Sequence, residues 1–268
     1  MATENEDKKN NAGKKKNWVF NIVIIAAAAV IAIALINIFV IKSEDSRNEK
    51  NYEALRQYAV TPPDTAEVAG GLTRVIDWNA LLAVNPDING WIIVSGTDVD
   101  YPTVKGEDND FYMTHNANGE ENRAGAIFLD MNCNADFSNQ NTIIYGHRQN
   151  DGSMFGTLSN YREESVHNEN GTVLIYTPDN KIHFYDIFAT YTIEDNPETY
   201  QIGFADEESY ETYLTRAKNR ADFAKETAVP VSAESNIITL STCVQGQDTQ
   251  RYIVQAVLVE TVDGPVIP

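Results

Sequence analysis

The chain has 268 residues, 43% of them hydrophobic, which is enough for one sizeable domain with additional segments or for two smaller domains. Its formal net charge is −19, and residues 43–268 alone hold 14 basic and 36 acidic side chains, for a net charge of −22. A surface this acidic argues against nucleic acid as a partner, because phosphate backbones are also anionic.

The first recognisable element is an apolar run of 24 residues without a charge, Trp18–Ile41. A helix of this length spans a bilayer core of about 30 Å at about 1.5 Å per residue. Five lysines precede the run, whereas only Lys42 and Arg47 follow it closely. The positive-inside rule therefore predicts a cytoplasmic lysine-rich tail at residues 1–17, a membrane anchor at 18–41 and an extracellular remainder. A cleaved signal peptide is the alternative, but its apolar region usually has only about 7 to 15 residues.

Residues 42–71 are predicted to form a membrane-proximal helix and a linker. The polar stretch Ser43–Lys50 is the predicted helix. Thr61–Gly71 contains two prolines and two glycines, which interrupt helices, and is the predicted linker. The extracellular domain is then predicted to cover residues 72–268.

A predicted helix opens this domain, and short strands follow it. In "TRVIDWNALLAVNPD" apolar residues recur at a helical spacing from Val75 and Ile76 until Pro86 ends the pattern. Beyond this point short apolar runs alternate with turn residues, which is typical of strands. Eight strands are predicted, beginning at Gly90, Val99, Ala124, Asn141, Gly171, Lys181, Asn236 and Arg251. This number predicts a mostly β fold that closes as a barrel.

A turn and a further helix are predicted within the strand series. Pro, Asp and Asn in "TPDNK", Thr177–Lys181, favour a tight turn between the fifth and sixth strands. The segment Asp206–Ala224 separates the sixth and seventh strands and has acidic residues first and basic residues later, as the helix dipole prefers. Its apolar positions recur at intervals of three and four, at Tyr210, Tyr213, Leu214 and Ala217. We therefore predict an inserted amphipathic helix.

The seventh and eighth strands carry a cysteine and an arginine at facing ends. If these strands are antiparallel neighbours, the loop Val244–Gln250 brings Cys243 and Arg251 to one rim of the barrel. A thiol reacts as the thiolate, and a nearby imidazole or cation lowers its pKa. Taken singly, a cysteine at a strand end is ordinarily core packing and an arginine ordinarily a solvated charge.

Four histidines could serve such a thiol. His183 alternates with apolar residues inside a strand and is predicted to face solvent, whereas His167 and His115 are predicted in polar surface loops. His147 differs, because it follows Gly146 at the end of the strand "NTIIYGH", and strand ends are where functional residues collect. We therefore favour His147, although a histidine in this place is about as often structural.

The second cysteine, Cys133, leaves a disulfide with Cys243 open in an oxidising exterior. A small disulfide scaffold would use more cysteines, so we favour a free reactive thiol. The sequence has no Cys-x-x-Cys pair and no histidine cluster at metal-binding spacing, so no metal site is predicted.

Three segments together resemble the sortase family, over about Asn79–Glu260. They are "TLSTC" followed by Arg251, "NTIIYGHRQNDGSMFGTLSNY" around His147, and "NGWIIVSGTDVDYPTVKGEDNDFYMTH" near the start of the domain. The resemblance implies a membrane-anchored cysteine transpeptidase of Gram-positive surfaces with an eight-stranded barrel. The N-terminal helical extension, "DNDFYMTH", "DGSMFGTL" and the helix between strands six and seven are similar to class B sortases.

By this resemblance Cys243 is the nucleophile, His147 the acid and base, and Arg251 the group that steadies the substrate and the tetrahedral oxyanion. The resemblance also implies residues that line the groove for the sorting signal, namely Ser241, Thr242, Tyr200 and Ile202. Some class B enzymes have an acidic residue directly after the cysteine. Here Val244 and Gln245 follow it, so no third acidic partner is identified.

The implied reaction is a two-step acyl transfer that needs no cofactor. The enzyme would cleave a C-terminal sorting motif of secreted proteins through a thioester and transfer the acyl group to a cell-wall peptide or a pilin lysine amine. Two alternatives stay open at this point. One is a surface cysteine hydrolase that uses water as the acceptor, and the other is an acidic, membrane-tethered binding module in which Cys243 is structural.

Overall fold

The computed structural model describes residues 2–61 and 74–265, with the side chains of residues 2–17, 19 and 248 left undescribed. These residues divide into two units, with the boundary between Arg47 and Asn48. Most of the predicted linker, residues 62–71, lies outside the described residues.

Helix α1 spans Ala2–Arg56 and contains the predicted helix Ser43–Lys50. Its apolar side chains between Phe20 and Ile41 are exposed, and an 18-residue window reaches a mean hydropathy of 3.0. Within the described ranges it is the one helix long and apolar enough to cross a membrane. Exposed apolar side chains on all sides are suited to lipid rather than to a packed protein core.

The second unit opens with a small β-ribbon that the sequence did not predict. Strands β1, Ala59–Val60, and β2, Val75–Ile76, pair antiparallel. The predicted helix over this segment is therefore wrong at Val75 and Ile76. Helix α2 begins only at Trp78, because the side chain of Asp77 accepts the N–H of Ala80 and caps it there. β-Branched residues before such a cap favour the extended conformation.

The eight predicted strands form a closed barrel. They are β3 (Ile88–Val94), β4 (Asp100–Val104), β5 (Ile127–Leu129), β6 (Asn141–Tyr145), β7 (Thr172–Thr177), β8 (Lys181–Glu194), β9 (Ile237–Val244) and β10 (Gln247–Asp263). Their order around the barrel is β10-β8-β7-β3-β4-β5-β6-β9. The predicted fold class is thus confirmed, and a closed barrel leaves no unpaired sheet edge.

Two neighbouring pairs in the barrel are parallel, β4 with β5 and β6 with β9. Parallel strands need a long crossover, and the connection from β6 to β9 contains β7, β8 and the inserted helix. The carboxyl ends of β6 and β9 therefore meet at the same rim of the barrel. This pairing joins segments that are distant in the sequence.

Strand β10 begins earlier than predicted. Gln245 and Gly246 form a tight turn, with Gly246 at φ +71°, and β10 starts at Gln247. Arg251 is therefore an internal residue of the strand rather than its first, which corrects the prediction of a loop over Val244–Gln250. A glycine with positive φ makes so short a connection accessible.

The inserted helix is confirmed as α4, Glu207–Arg220. Asp206 caps its N-terminus in a reciprocal pair of hydrogen bonds with Ser209. Its buried face consists of the predicted residues Tyr210, Tyr213, Leu214 and Ala217. The turn Thr177–Lys181 is also confirmed, with Asn180 at φ 58° and its N–H donating to the Thr177 carbonyl.

The remaining helices are short. Helix α3 covers Glu164–Glu169, and three 3₁₀ helices cover Phe111–Met113, Gly156–Arg162 and Pro197–Tyr200. In chain order, Phe111–Met113 precedes β5 and β6, Gly156–Arg162 follows β6 and His147, and Pro197–Tyr200 precedes α4. They supply the walls of the hollows described below.

Candidate active site

Strand register brings three of the predicted site residues together. Arg251 on β10 is directly opposite Cys243 on β9. Tyr145 on β6 is opposite Ser241 on β9 in a parallel pair. Cys243 is two residues beyond Ser241 on β9, and His147 is two residues beyond Tyr145, just past the end of β6. The barrel therefore aligns residues 147, 243 and 251 at one rim, although 96 residues separate the first two in the chain.

These residues line a cavity of about 290 Å³, here called the Tyr200 cavity. It is lined by Asn109, Asp110, Met113, Phe128, Tyr145, Gly146, His147, Asp195, Tyr200, Ser241, Thr242, Cys243 and Arg251. A thiol, an imidazole and a guanidinium in one cavity can perform nucleophilic acyl transfer, in which the cation stabilises the oxyanion.

The imidazole of His147 is oriented by a backbone carbonyl. Its Nε2 lies 2.7 Å from the carbonyl oxygen of Met113. A carbonyl oxygen can only accept a hydrogen bond, so Nε2 carries the hydrogen in the neutral ring and Nδ1 is left to receive a proton. The hydrogen bond thereby sets the tautomer that a general base requires.

Gly125 makes room for this arrangement. It has φ +61°, and a Cβ at this position would lie 2.9 Å from Cδ2 of His147 and 2.8 Å from the Met113 carbonyl oxygen. Any larger residue would therefore displace either the imidazole or its hydrogen-bond acceptor. Only glycine allows the backbone at position 125 to lie this close to the His147 ring.

Arg251 forms an ion pair that the sequence analysis did not find. Its Nη2 donates to Oδ2 of Asp195 at 2.7 Å, and its Nη1 donates to the carbonyl oxygen of Gln250. Asp195 follows the last residue of β8, where Glu194 is opposite Gln250. Asp195 could not be found beside the cysteine in the sequence, because it lies just past the end of β8, which pairs with β10. The feature that could have revealed Asp195 is the antiparallel register of β8 against β10.

The two cysteines occupy different environments, and both are free. Cys243 is half-buried at the Tyr200 cavity. Cys133 is buried in the core, where its Sγ accepts the N–H of Ile143 at 3.3 Å. Burial raises the pKa of the Cys133 thiol to about 11. A thiol held in this way is protonated and unreactive at neutral pH.

Three of the four residues predicted to line a substrate groove are at the cavity. Tyr200, in the 3₁₀ helix before α4, places its Oη 3.0 Å from Oγ of Ser241, and Thr242 also lines the cavity. Burial raises the pKa of Tyr200. Ile202 is not among the lining residues, since it packs against the core while its carbonyl oxygen accepts the N–H of Asn141.

A buried polar network supports the strand that leads to His147. Tyr145 Oη donates to Oδ2 of Asp130 at 3.1 Å, and Nδ2 of Asn109 donates to the same oxygen at 2.9 Å. Asp130 is buried, so these bonds compensate for the loss of its hydration. Burial, with Asp130 as the next cause, raises the pKa of Tyr145. The residue two positions before His147 is thus fixed at the cavity wall.

The other histidines lie away from this cavity, and two of their predicted environments were wrong. His167 is fully buried in α3 rather than in a surface loop, where apolar packing against Phe223 and Tyr161 favours it. His183 is half-buried rather than solvent-facing, because Thr261 on the neighbouring strand is 3.0 Å from its Nδ1. His115 stacks on Phe111 at the surface.

The described residues contain no group of three or more His, Cys, Asp or Glu side chains placed to hold a metal ion.

Comparisons of this chain with known proteins all point to the same family. A sortase domain family model matches residues 92–259. The chain is also similar to sortase B of Listeria monocytogenes, with 35% identity over 181 residues, which are 67% of this chain and 72% of the relative.

Solved structures agree with this similarity. The crystal structure of Clostridium perfringens sortase B has 31% sequence identity and a TM-score of 0.64, and the match covers 68% of this chain and 99% of that one. A sortase B structure in complex with triglycine has 27% identity and a TM-score of 0.69, with 81% of this chain and 99% of that one covered.

Proposed function

This chain belongs to the sortase family, and we propose that Cys243, His147 and Arg251 perform its reaction in the Tyr200 cavity. The protein is a cysteine transpeptidase of the sortase B type. The family acts on sorting-motif substrates and on glycine-type amine acceptors. The observation that carries the residue assignment is the strand register, which aligns these three side chains at one rim.

In the first step the thiol proton of Cys243 passes to Nδ1 of His147, and Sγ attacks the scissile carbonyl carbon of the sorting motif. A C–S bond forms, and the carbonyl π electrons move to the oxygen, whose negative charge the Arg251 guanidinium stabilises. His147 then gives a proton to the departing amine as the C–N bond breaks, which leaves a thioester on Cys243. The orientation of His147 by Met113 supports this role, because it fixes which nitrogen exchanges the proton.

In the second step an acceptor amine attacks the thioester carbonyl. A C–N bond forms, the C–S bond breaks, the proton of the amine passes to His147, and the Cys243 thiolate leaves. We propose that the acceptor is an amine of a cell-wall peptide, with a pilin lysine amine as the other source to be tested. Water in place of the amine would make the protein a hydrolase.

Mass spectrometry of the full chain in detergent tests the assignment. With a library of sorting-motif pentapeptides, we expect a covalent acyl adduct on Cys243 that hydroxylamine removes. Cys243→Ala should form no adduct, whereas Cys133→Ala is the matched control that keeps the adduct if it folds. Thiol alkylation of the native protein should label Cys243 and spare Cys133. Peptide cleavage by Cys243→Ala would refute the proposal.

The products distinguish the acceptors. Added triglycine should yield an amide product, and Nα-acetyl-lysine amide tests a lysine side chain in the same assay. If only the hydrolysed peptide accumulates with every amine, the transfer step of this chain is wrong.

We also propose the membrane arrangement of the chain. Sortases are cell-surface enzymes, and α1 is long and apolar enough for an anchor. The lysines before Trp18 support a cytoplasmic tail at residues 1–17, an anchor at 18–41, a membrane-proximal segment at 42–71 and an extracellular catalytic domain at 72–268. Protease added to wall-free cells with intact membranes should digest the domain and leave an N-terminal epitope protected. The reverse pattern would contradict this orientation.

A further inference from the structure

Cys243 borders a second hollow, separate from the Tyr200 cavity. This hollow has a volume of about 210 Å³ and is here called the Tyr252 hollow. The residues that matter for the argument are Arg148, Arg162, Glu163, Thr242, Cys243 and Tyr252, all of which line it. A thioester on Cys243 would therefore be bordered by two spaces.

Strand alternation explains why the two spaces are distinct. Thr242 is directly opposite Tyr252 in the β9/β10 ladder, one position from the pair of Cys243 with Arg251. Successive side chains of a strand point to opposite faces, so Tyr252 points away from the face that Arg251 occupies. Arg251 accordingly lines only the first space and Tyr252 only the second, whereas Thr242 and Cys243 border both.

The Tyr252 hollow is locally basic within a strongly acidic domain. Arg148 donates to Oε1 of Gln245 at 3.1 Å. Arg162 donates to Oγ1 of Thr192 at 2.9 Å and lies 4.8 Å above the ring of Tyr252. Both partners are neutral, and within the described ranges neither arginine has a carboxylate within 4 Å. Glu163 and Asp222 are acidic groups near Arg162, but neither is within 4 Å of its guanidinium, which can therefore still bind an anionic ligand.

Thr242 adds an independent observation. Its side chain is 3% exposed, and Oγ1 has no hydrogen-bond partner among the described residues. A buried hydroxyl without a partner destabilises a protein. A peptide group of a bound ligand beside Cys243 would supply the missing partner.

From these observations we propose that the Tyr252 hollow is the acceptor subsite, an inference that rests on the proposed function. It takes a peptide whose free amine reaches the Cys243 thioester and whose anionic group lies against Arg148 and Arg162. The sorting peptide meanwhile remains in the Tyr200 cavity, so donor and acceptor do not compete for one space. Glu163 at the same hollow opposes the anion and weakens its binding.

The test compares triglycine with triglycinamide, which lacks the carboxylate, as acceptors for the full chain. We expect wild-type protein to use triglycine with a KM lower by about fivefold or more, as a charge-assisted hydrogen bond requires. The measured ratio is the KM for triglycinamide divided by the KM for triglycine. In Arg162→Gln and, independently, in Arg148→Gln this ratio should fall towards one. Glu163→Gln should increase the ratio, and 1 M salt should reduce it in the wild type. Arg216→Gln removes an equal charge on α4, at a residue that does not line this hollow, and should leave the ratio as in the wild type.

Each result has one meaning. Loss of the preference in both hollow variants, with the Arg216 control unchanged, supports the subsite. Equal use of the two acceptors by wild type, or an unchanged ratio in both variants, overturns the subsite and leaves the acyl-enzyme proposal intact. Failure of wild type to form an acyl-enzyme overturns both, and the adduct measurement separates this case from the preceding one. Because the ratio is taken within each variant, a partial loss of folded protein does not imitate the expected result.

Discussion

Oδ2 of Asp195 lies 2.7 Å from Nη2 of Arg251, across the pair of strands that ends beside the Tyr200 cavity. The guanidinium is 22% exposed and the carboxylate 47%, so solvent weakens the attraction between them. The ion pair therefore contributes mainly by orienting Arg251, because it fixes the plane of the guanidinium relative to Cys243. Asp195 is a positioning residue in this interpretation, since it acts through Arg251.

Asp195→Asn should reduce kcat for acyl-enzyme formation by about tenfold and change KM by less than about twofold, because an oriented cation contributes mainly to the transition state. Glu194→Gln, which neutralises the adjacent exposed acid, is the matched control. Steady-state kinetics with a sorting peptide measures both. Equal kcat values for Asp195→Asn and the wild type would show that Arg251 is oriented without this carboxylate.

Gly125→Ala should reduce kcat much more than Gly119→Ala does. A Cβ there meets both His147 and the Met113 carbonyl, so we expect a loss in kcat of about tenfold or more from misplacement of the imidazole. Gly119→Ala is the control, since Gly119 has a similar positive φ of +79° and no atom within 4 Å of the added Cβ. Gly119→Ala should lose about 1 to 2 kcal/mol from backbone strain, and Gly125→Ala should lose more, because its Cβ also meets the Met113 carbonyl oxygen at 2.8 Å. Parallel losses of kcat in the two variants would disprove a specific role for the glycine beside His147.

Tyr200→Ala should raise KM for the sorting peptide, because the ring lines the cavity and its hydroxyl bonds to Ser241. Ile202→Ala should leave KM near the wild-type value and instead lower the free energy of unfolding by about 1 to 3 kcal/mol, as expected for a partly buried aliphatic side chain. Peptide titration and denaturant unfolding separate the two effects. A larger KM change at Ile202 than at Tyr200 would place the groove elsewhere.

His167 should make stability depend on pH. Burial, followed by the charge of Lys225, lowers its pKa below the ordinary value of 6.5, and the ring faces Phe223 and Tyr161, with Glu164 as an opposing charge. Below pH 6.5 the unfolded chain takes up a proton that the folded chain resists. The contribution of His167 is thus complete above pH 6.5 and declines as the pH falls through it.

Thermal unfolding between pH 5 and pH 8 measures this effect. His167→Phe should flatten the decline on the acid side, because an apolar ring fits the aromatic surroundings and does not titrate. The wild type, measured in parallel under the same conditions, is the reference. If the wild type and His167→Phe lose stability in parallel below pH 6.5, other groups cause the decline.

The barrel was predictable because each strand has its own local signal. Apolar runs of strand length, bounded by Gly, Pro and Asx residues, identified all eight strands, and the 3.6-residue periodicity identified α4. Boundaries were less predictable where tertiary pairing decides them. Val75 and Ile76 fit a helical spacing, yet they pair with Ala59 and Val60, which no local pattern encodes.

The same distinction applies to the site. Cys243 and Arg251 are neighbours in a hairpin, so their approach could be inferred from the sequence. Asp195 directly follows the last residue of a third strand, β8. Its contact with Arg251 depends on the register of β8 against β10. His167 was placed at the surface because its sequence neighbours are polar. Its burial depends on Phe223, which belongs to a distant segment of the chain.

The parallel pairing of β6 with β9 also determines when the chain can first become reactive. Loop closure over so many residues is slow relative to local hairpin formation, so this ladder is expected to be among the last to form. Until it does, Cys243 has Arg251 beside it in the β9/β10 hairpin but lacks His147, the base that it needs. A chain without this ladder is therefore catalytically silent, and turnover itself reports that the barrel has closed.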